Sequence, residues 1–427
     1  MNLTPAQQEQ GRRNFLKALA GTPALAMLGV TSFLRGPVKG GPVRVGFIGT
    51  GGQGRALLSV ALPPFVEVRA LCDINPAQLA QADAMLEKNK LPPARHYAQW
   101  QQMLEKEDLE AVIMAPPLWM HADLVVGCLD AGKHVLCEKM MAWDAAGCER
   151  MRDAAIRNRR VLEIGYQRFY SPLYQAAYDG IIQKGLLGEV YHARLAWHRN
   201  GNWRRQGKPP APDYDPSPFG YPTFEHLLNW RLYKKYSRGL FAELGSHQLS
   251  IASWIFGAPP DAVYASGGVY RFKDGREVDD HLYGTFDYPG GRTAVFSSIE
   301  SNAFDNYYEM FLGTKGTLIM SAESEAFLFE EGSTAARTSV EVTPAGPGPV
   351  LESSETQPGN RPTDTRQGAT APQRFERRTS SKLEVERFAA AVRTGQPLAC
   401  GPDRAMHSAR ACIRATESLE QRARLAI

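Results

Sequence analysis

The residues able to do chemistry begin with Gly49-Thr50-Gly51-Gly52-Gln53-Gly54, which ends the apolar run Val43–Ile48. Glycines at this spacing let a backbone turn tightly and approach a pyrophosphate, whose charge meets the free N–H groups of a helix start. Asp73 closes the next apolar run, 19 residues after Gly54. An acid there can take both hydroxyls of an adenosine ribose. Gly49, Gly51, Gly52, Gln53, Gly54 and Asp73 therefore read as a dinucleotide site. Glu138 and Lys139 end a further apolar run that starts at His134. A lysine there can hydrogen-bond a sugar hydroxyl and stabilise a developing alkoxide, or relay a proton. Downstream, Glu243 and His247 stand four apart, a spacing that puts both on one helix face. Histidine suits accepting an alcohol proton near neutral pH, and a neighbouring carboxylate could orient it. The pair also permits a metal, but no third ligand has matching spacing, so none is expected.

These groups need elements to hold them. Val43–Ile48, the glycine turn, a helix and Val66–Cys72 read as strand, turn, helix, strand. Asn75–Lys90 and Ala98–Lys106 follow as helices, then a strand at Glu110–Met114. Pro116 and Pro117 cannot continue a central ladder, so the chain turns there, beside the dinucleotide. His121 opens the next helix, either facing the nicotinamide side or merely capping and packing. Strand ends in an open parallel sheet point into the ligand crevice, which places Pro116, Glu138 and Lys139 by the cofactor. The strand Val161–Gly165 completes a unit at residues 41–165.

Tyr166 and Arg168 follow where the chain crosses between domains, a usual place for substrate contacts. Both are read as substrate candidates, Arg168 also as a cofactor contact. Ser171–Gly185 reads as a helix and Gly188–Trp197 as a strand. Residues 198–223, HRNGNWRRQGKPPAPDYDPSPFGYPT, are too polar for a core and too aromatic for a passive linker. They read as a structured loop near the cleft, suited to a carbohydrate ring. Trp230, in FEHLLNWRLYKKY, is a further substrate candidate. From Ala262 onward, strand-like runs separated by turns predict an antiparallel sheet. Asp279, Asp280 and His281 lie at the mouth of one such run, with metal, acid–base and solvated-rim readings all open. Residues 331–380 read as a long loop, and Ser381–Gly395 and Asp403–Arg422 as helices.

The chain has 427 residues, 43% of them hydrophobic, enough for more than one core. Of the net charge of +4, residues 1–40 carry the excess. The rest is near neutral, with no basic stripe for nucleic acid. The six cysteines form no close pair and suggest neither a disulfide framework nor a zinc site. Near the start, Arg12-Arg13-Asn14-Phe15-Leu16-Lys17 precedes a weakly apolar segment, Ala18–Leu34. This resembles a twin-arginine export signal, the alternative being a basic amphipathic helix. Gly21, Pro23 and Gly29 interrupt the segment, so no stable membrane insertion is expected. Residues 1–40 are read as a signal or N-terminal arm, cleaved near Gly36 or retained. Passage through the twin-arginine export machinery would place the protein in the periplasm or outside the cell.

Taken together, the chain resembles the Gfo/Idh/MocA oxidoreductases. The matching motifs are Gly49–Gly54, Asp73, His134-Val135-Leu136-Cys137-Glu138-Lys139, Lys184–Val190 and Glu243-Leu244-Gly245-Ser246-His247. The resemblance implies an α/β protein, with an N-terminal Rossmann domain and a C-terminal α/β domain, residues 166–427, built on a large open, mainly antiparallel sheet. It implies Lys139 against substrate and nicotinamide, and His247 as proton acceptor. Met140 replaces the family's proline, Glu243 its aspartate, and Ser250 a second aspartate. Homodimers or homotetramers are implied as well. Asp73 would repel a 2′-phosphate, so NAD is favoured over NADP. The expected activity is NAD-dependent oxidation of a sugar or polyol hydroxyl with tightly held cofactor. The alternatives are a glycoside hydrolase that uses bound NAD transiently, and a non-catalytic cofactor-binding paralogue.

Overall fold

The computed structural model describes residues 3–29, 40–332, 340–344, 349–353 and 377–427. The segment around Gly36 and most of the 331–380 stretch lie outside the described residues.

Six short strands build the first sheet: β1 Val43–Ile48, β2 Val66–Cys72, β3 Arg95–Tyr97, β4 Ala111–Met114, β5 His134–Glu138 and β6 Leu162–Gly165. They run parallel in the order β3-β2-β1-β4-β5-β6, that of a Rossmann sheet. Strands β4 and β6 are buried along their whole length, as a sheet covered by helices on both faces requires. In this order β1 neighbours β4, so their C-terminal ends splay into a crevice where the strand order reverses. The glycine turn and Pro116 stand at that crevice.

The second sheet has the order β13-β12-β11-β7-β10-β9-β8-β16. Its strands are β7 Val190–His198, β8 Ala262–Gly268, β9 His281–Tyr288, β10 Arg292–Ile299, β11 Tyr307–Gly313, β12 Gly316–Ser321, β13 Glu325–Glu330 and β16 Leu425–Ala426. All pairings are antiparallel except β7 with β10. Within the stretch read as a loop, β14 Val340–Pro344 and β15 Pro349–Ser353 pair as a hairpin. Asp280 organises the turn before β9. Its carboxylate accepts from the amides of Tyr270, Arg271 and Phe272 and lies 3.0 Å from His281 Nδ1.

The helix Arg377–Thr394 returns to the first sheet, where Val385, Phe388 and Ala389 join the core of Val43, Val45 and Phe47. Arg393 fastens this return, both of its terminal nitrogens reaching the Glu110 carboxylate at 2.5 and 2.8 Å. The N-terminal helix Pro5–Leu19 also belongs to the fold. Thr4 and Gln7 form a capping box at its start. Phe15 and Leu19 are buried, and Arg12 pairs with Glu325 on β13 at 2.5 Å. Arg13 pairs within the helix with Glu9. Among the described residues no helix is long and apolar enough to cross a membrane.

Hydrogen bonds from Arg393, with help from Arg44, hold the Glu110 pKa down to about 2, against an ordinary 4.5. A depressed carboxylate stabilises the fold above its unfolded pKa and loses that contribution as pH falls through the folded value. Glu110→Gln should therefore flatten the pH dependence of unfolding free energy between about 4.5 and 2. Urea titrations across that range would read it.

Candidate active site

Gly49 and Gly54 are dictated by packing. Gly49 has φ +82°, and a Cβ there would lie 2.8 Å from the Ala115 carbonyl. A Cβ on Gly54 would strike the Gly49 oxygen. Gly51 and Gly52 differ: their Cβ positions face open space in the crevice wall, a cradle that fits an oxyanion group brought close to backbone. Gln53 donates to Glu138 Oε1 at 2.7 Å, tying the glycine turn to the end of β5. Asp73 is already engaged. Its carboxylate accepts from Thr50 N at 2.7 Å, Thr50 Oγ1 at 3.2 Å and Asn75 N at 2.8 Å. Burial outweighs these bonds and raises its pKa. The acid thus shapes the turn as well as facing the crevice that it lines.

Lys139 projects from the end of β5 toward the second domain. Its ammonium donates to the Glu243 carbonyl at 2.7 Å. Glu243 lies in a π-turn, Phe241–Gly245, that leads into the helix Ser246–Phe256. Such widened turns recur at functional sites. Its carboxylate accepts from Arg231 Nε at 2.8 Å. Burial pushes its pKa up, but Arg231, Lys139 and Arg199 outweigh that and bring it below the usual value. The Glu243 carboxylate thus faces Arg231. His247, 3% exposed, lies between aromatic rings. Tyr166 meets it edge-on at 6.2 Å, and Trp197 at 5.7 Å.

Other sequence candidates divide into those at the crevice and those beneath it. Pro116 and Trp230 line it, with Arg231 stacked 4.2 Å over the Trp230 ring. His121 does not line it. Fully buried, it lies 2.9 Å from the Met140 carbonyl and 3.1 Å from that of Pro116, bracing the two strand ends. Burial lowers its pKa, against the pull of these carbonyls. Tyr166 is also buried, its hydroxyl accepting from Ser408. Arg168 is the clearest correction. It is 1% exposed, pairs with Glu309 and Glu323, and lies under Trp197 at 5.5 Å. It does not line the crevice; it lies against the ring that flanks His247. Two carboxylates from distant segments, on β11 and in the turn before β13, compensate its buried charge.

Residues 198–236 supply what residue-by-residue reading missed. Arg205, Tyr221, Leu227, Leu228 and Arg231 join Trp230 in the second-domain wall of the crevice. Trp119 donates to the Tyr221 hydroxyl at 2.9 Å, and Tyr214 donates to the Ile74 carbonyl at 2.9 Å. The aromatic and basic composition pointed to this stretch, but nothing in it marked which side chains turn inward.

Glu243→Gln would leave the Arg231 and Lys139 charges without their shared acid. Loss of one partner from a buried pair should cost about 3 kcal/mol of unfolding free energy, measured by denaturant titration.

Two family models match the chain. One, described as an oxidoreductase family with an NAD-binding Rossmann fold, covers residues 43–166; the other, the GFO/IDH/MocA C-terminal domain, covers residues 176–319. Among curated proteins, an inositol 2-dehydrogenase of Salmonella paratyphi B is 32% identical over 205 residues, 47% of this chain and 56% of that protein. A glycosyl hydrolase family 109 protein of Phocaeicola vulgatus is 30% identical over 159 residues, 36% of this chain and 38% of that protein. The chain thus spans about half the length, or less, of these curated relatives. Among solved structures, levoglucosan dehydrogenase in complex with NADH and levoglucosan superposes with a TM-score of 0.67. That alignment covers 90% of this chain and 99% of that one at 18% identity, a likeness of fold.

Proposed function

The chain belongs to the Gfo/Idh/MocA oxidoreductases, and from that premise we propose that it oxidises or reduces a hydroxyl-bearing carbon of a sugar or polyol with NAD. The observation that carries this reading is the reach of Lys139 from the crevice end of β5 to the Glu243 carbonyl, four residues before His247. NAD, when bound, supplies the nicotinamide that exchanges hydride with the substrate carbon. Gly51 and Gly52 would admit its pyrophosphate, and Asp73 would face its adenosine ribose. Lys139 binds the reacting hydroxyl and stabilises negative charge as it develops on the oxygen. His247 takes the hydroxyl proton. The Arg231–Glu243 pair fixes the charge beside the ammonium. Trp230 supplies a flat face for a sugar ring.

A second reading is favoured by the likeness to glycosyl hydrolase family 109 proteins. In it the same groups oxidise a ring hydroxyl transiently, which acidifies the neighbouring C–H and allows elimination of an aglycone. Water then adds and the ring is reduced again. The Arg12-Arg13 start supports export through the twin-arginine machinery to the periplasm or beyond. An exported enzyme has no free NAD pool, which favours a tightly kept cofactor. The open face of the second sheet supports a homodimer or homotetramer.

Purified protein should release NAD or NADH on denaturation. Net NADH formation with free sugars or inositols supports the dehydrogenase, and aryl-glycoside cleavage without net NADH supports the glycosidase. Lys139→Met and His247→Ala should each lower turnover at least ~100-fold in either assay. Unchanged turnover in both variants would sink the assignment.

A further inference from the structure

The stretch 198–231 holds one charged group that this reaction does not use. The stretch crosses from the second domain onto the first, where Tyr214 anchors it beside Asp73 through the Ile74 carbonyl. Arg204 anchors it at the other end, donating from Nε to Asp274 at 3.1 Å and pairing with Glu225. Between these anchors the main chain of Arg205 is clamped from both sides by buried Asn229. Asn229 Oδ1 accepts from Arg205 N at 2.6 Å, and its Nδ2 donates to Arg205 O at 3.1 Å. Such a clamp fixes where the next atoms of the side chain begin.

That side chain lines the crevice together with Gly49, Gly51, Gly52 and Asp73. Its neighbours among the arginines are all occupied. Arg55 donates to the Thr50 carbonyl and to Gln78, Arg199 pairs with Glu300, and Arg231 pairs with Glu243. The Arg205 guanidinium has no hydrogen-bond or ion-pair partner among the described residues. The charges acting on it are Arg231 and Arg55, of its own sign, and Glu243, already held by Arg231. A planar cation so placed, with like charges on two sides, is under-compensated. It matches a ligand with paired anionic oxygens.

We infer that Arg205 is the second-domain counter-ion for an oxyanion group bound against Gly51 and Gly52, closing the crevice over its ligand. The pyrophosphate of the dinucleotide and the carboxylate of a sugar acid share that chemistry. The inference rests on the dinucleotide reading above. It also accounts for tight retention, because release would require the anchored stretch to let go of the anion as well as the glycine turn.

The test compares the full chain with Arg205→Gln and Arg205→Lys by calorimetric titration with NAD, ADP-ribose and glucuronate. If the pyrophosphate is the ligand, Arg205→Gln weakens NAD and ADP-ribose alike, by at least ~10-fold. Arg205→Lys should recover part of that loss, and the thermal midpoint should stay unchanged. If the carboxylate is the ligand, glucuronate binding alone is weakened. Equal binding of all three ligands by Arg205→Gln and the parent overturns the inference while leaving the dinucleotide reading intact. Failure of the parent to bind either NAD or ADP-ribose overturns that reading itself.

Discussion

The arrangement depends on one bond, from the Lys139 ammonium to the Glu243 carbonyl. An ammonium taken partly out of water needs acceptors, and a carbonyl in a widened helical turn supplies one. Because β5 belongs to the first sheet and Glu243 to the second domain, this bond couples the two. Gln53, Glu138 and His121 hold the first-domain side of that geometry, through the glycine turn and the Met140 carbonyl. Arg231 holds the other side through the Glu243 carboxylate.

Charge in this site is arranged by pairing across long sequence distances. Arg168 meets Glu309 and Glu323 in the interior, and Arg199 meets Glu300. A lone buried ion would be too costly, so each pair fixes the relative placement of the strands that carry it. Trp197 rests on Arg168 and in turn flanks His247, so the ion pair acts on the site through an aromatic ring. The stretch 198–231 has a different role. It contributes little to either core, but it brings aromatic and cationic side chains over the mouth of a crevice built by the first sheet.

The N-terminal segment shows how one composition can serve two readings. Its paired arginines and weakly apolar run resemble an export signal. The same apolar positions, Phe15 and Leu19, are buried in the fold, and Arg12 finds Glu325. An amphipathic helix with a basic face meets both descriptions, because each needs an apolar stripe beside positive charge.

The Rossmann unit was legible because its determinants are local. Short apolar strands, a glycine turn, an acid closing the next strand and prolines at a chain reversal each act within a few residues. Lys139 and His247 were singled out for the same reason, as residue types at element ends. What only the tertiary structure decided was partnership. Arg168 read as a cleft residue because it follows the last strand of the first sheet. Strand β11 and the turn between β12 and β13, more than 130 residues later, supply the carboxylates that pair with it. Glu243 was singled out by its four-residue spacing from His247, and the π-turn brings Arg231 onto its carboxylate. The return of the helix at Arg377–Thr394 and the inward turn of Arg205 are likewise long-range outcomes. Local propensity selects strands, turns and helices; burial and charge compensation between distant segments select which side chains face the ligand.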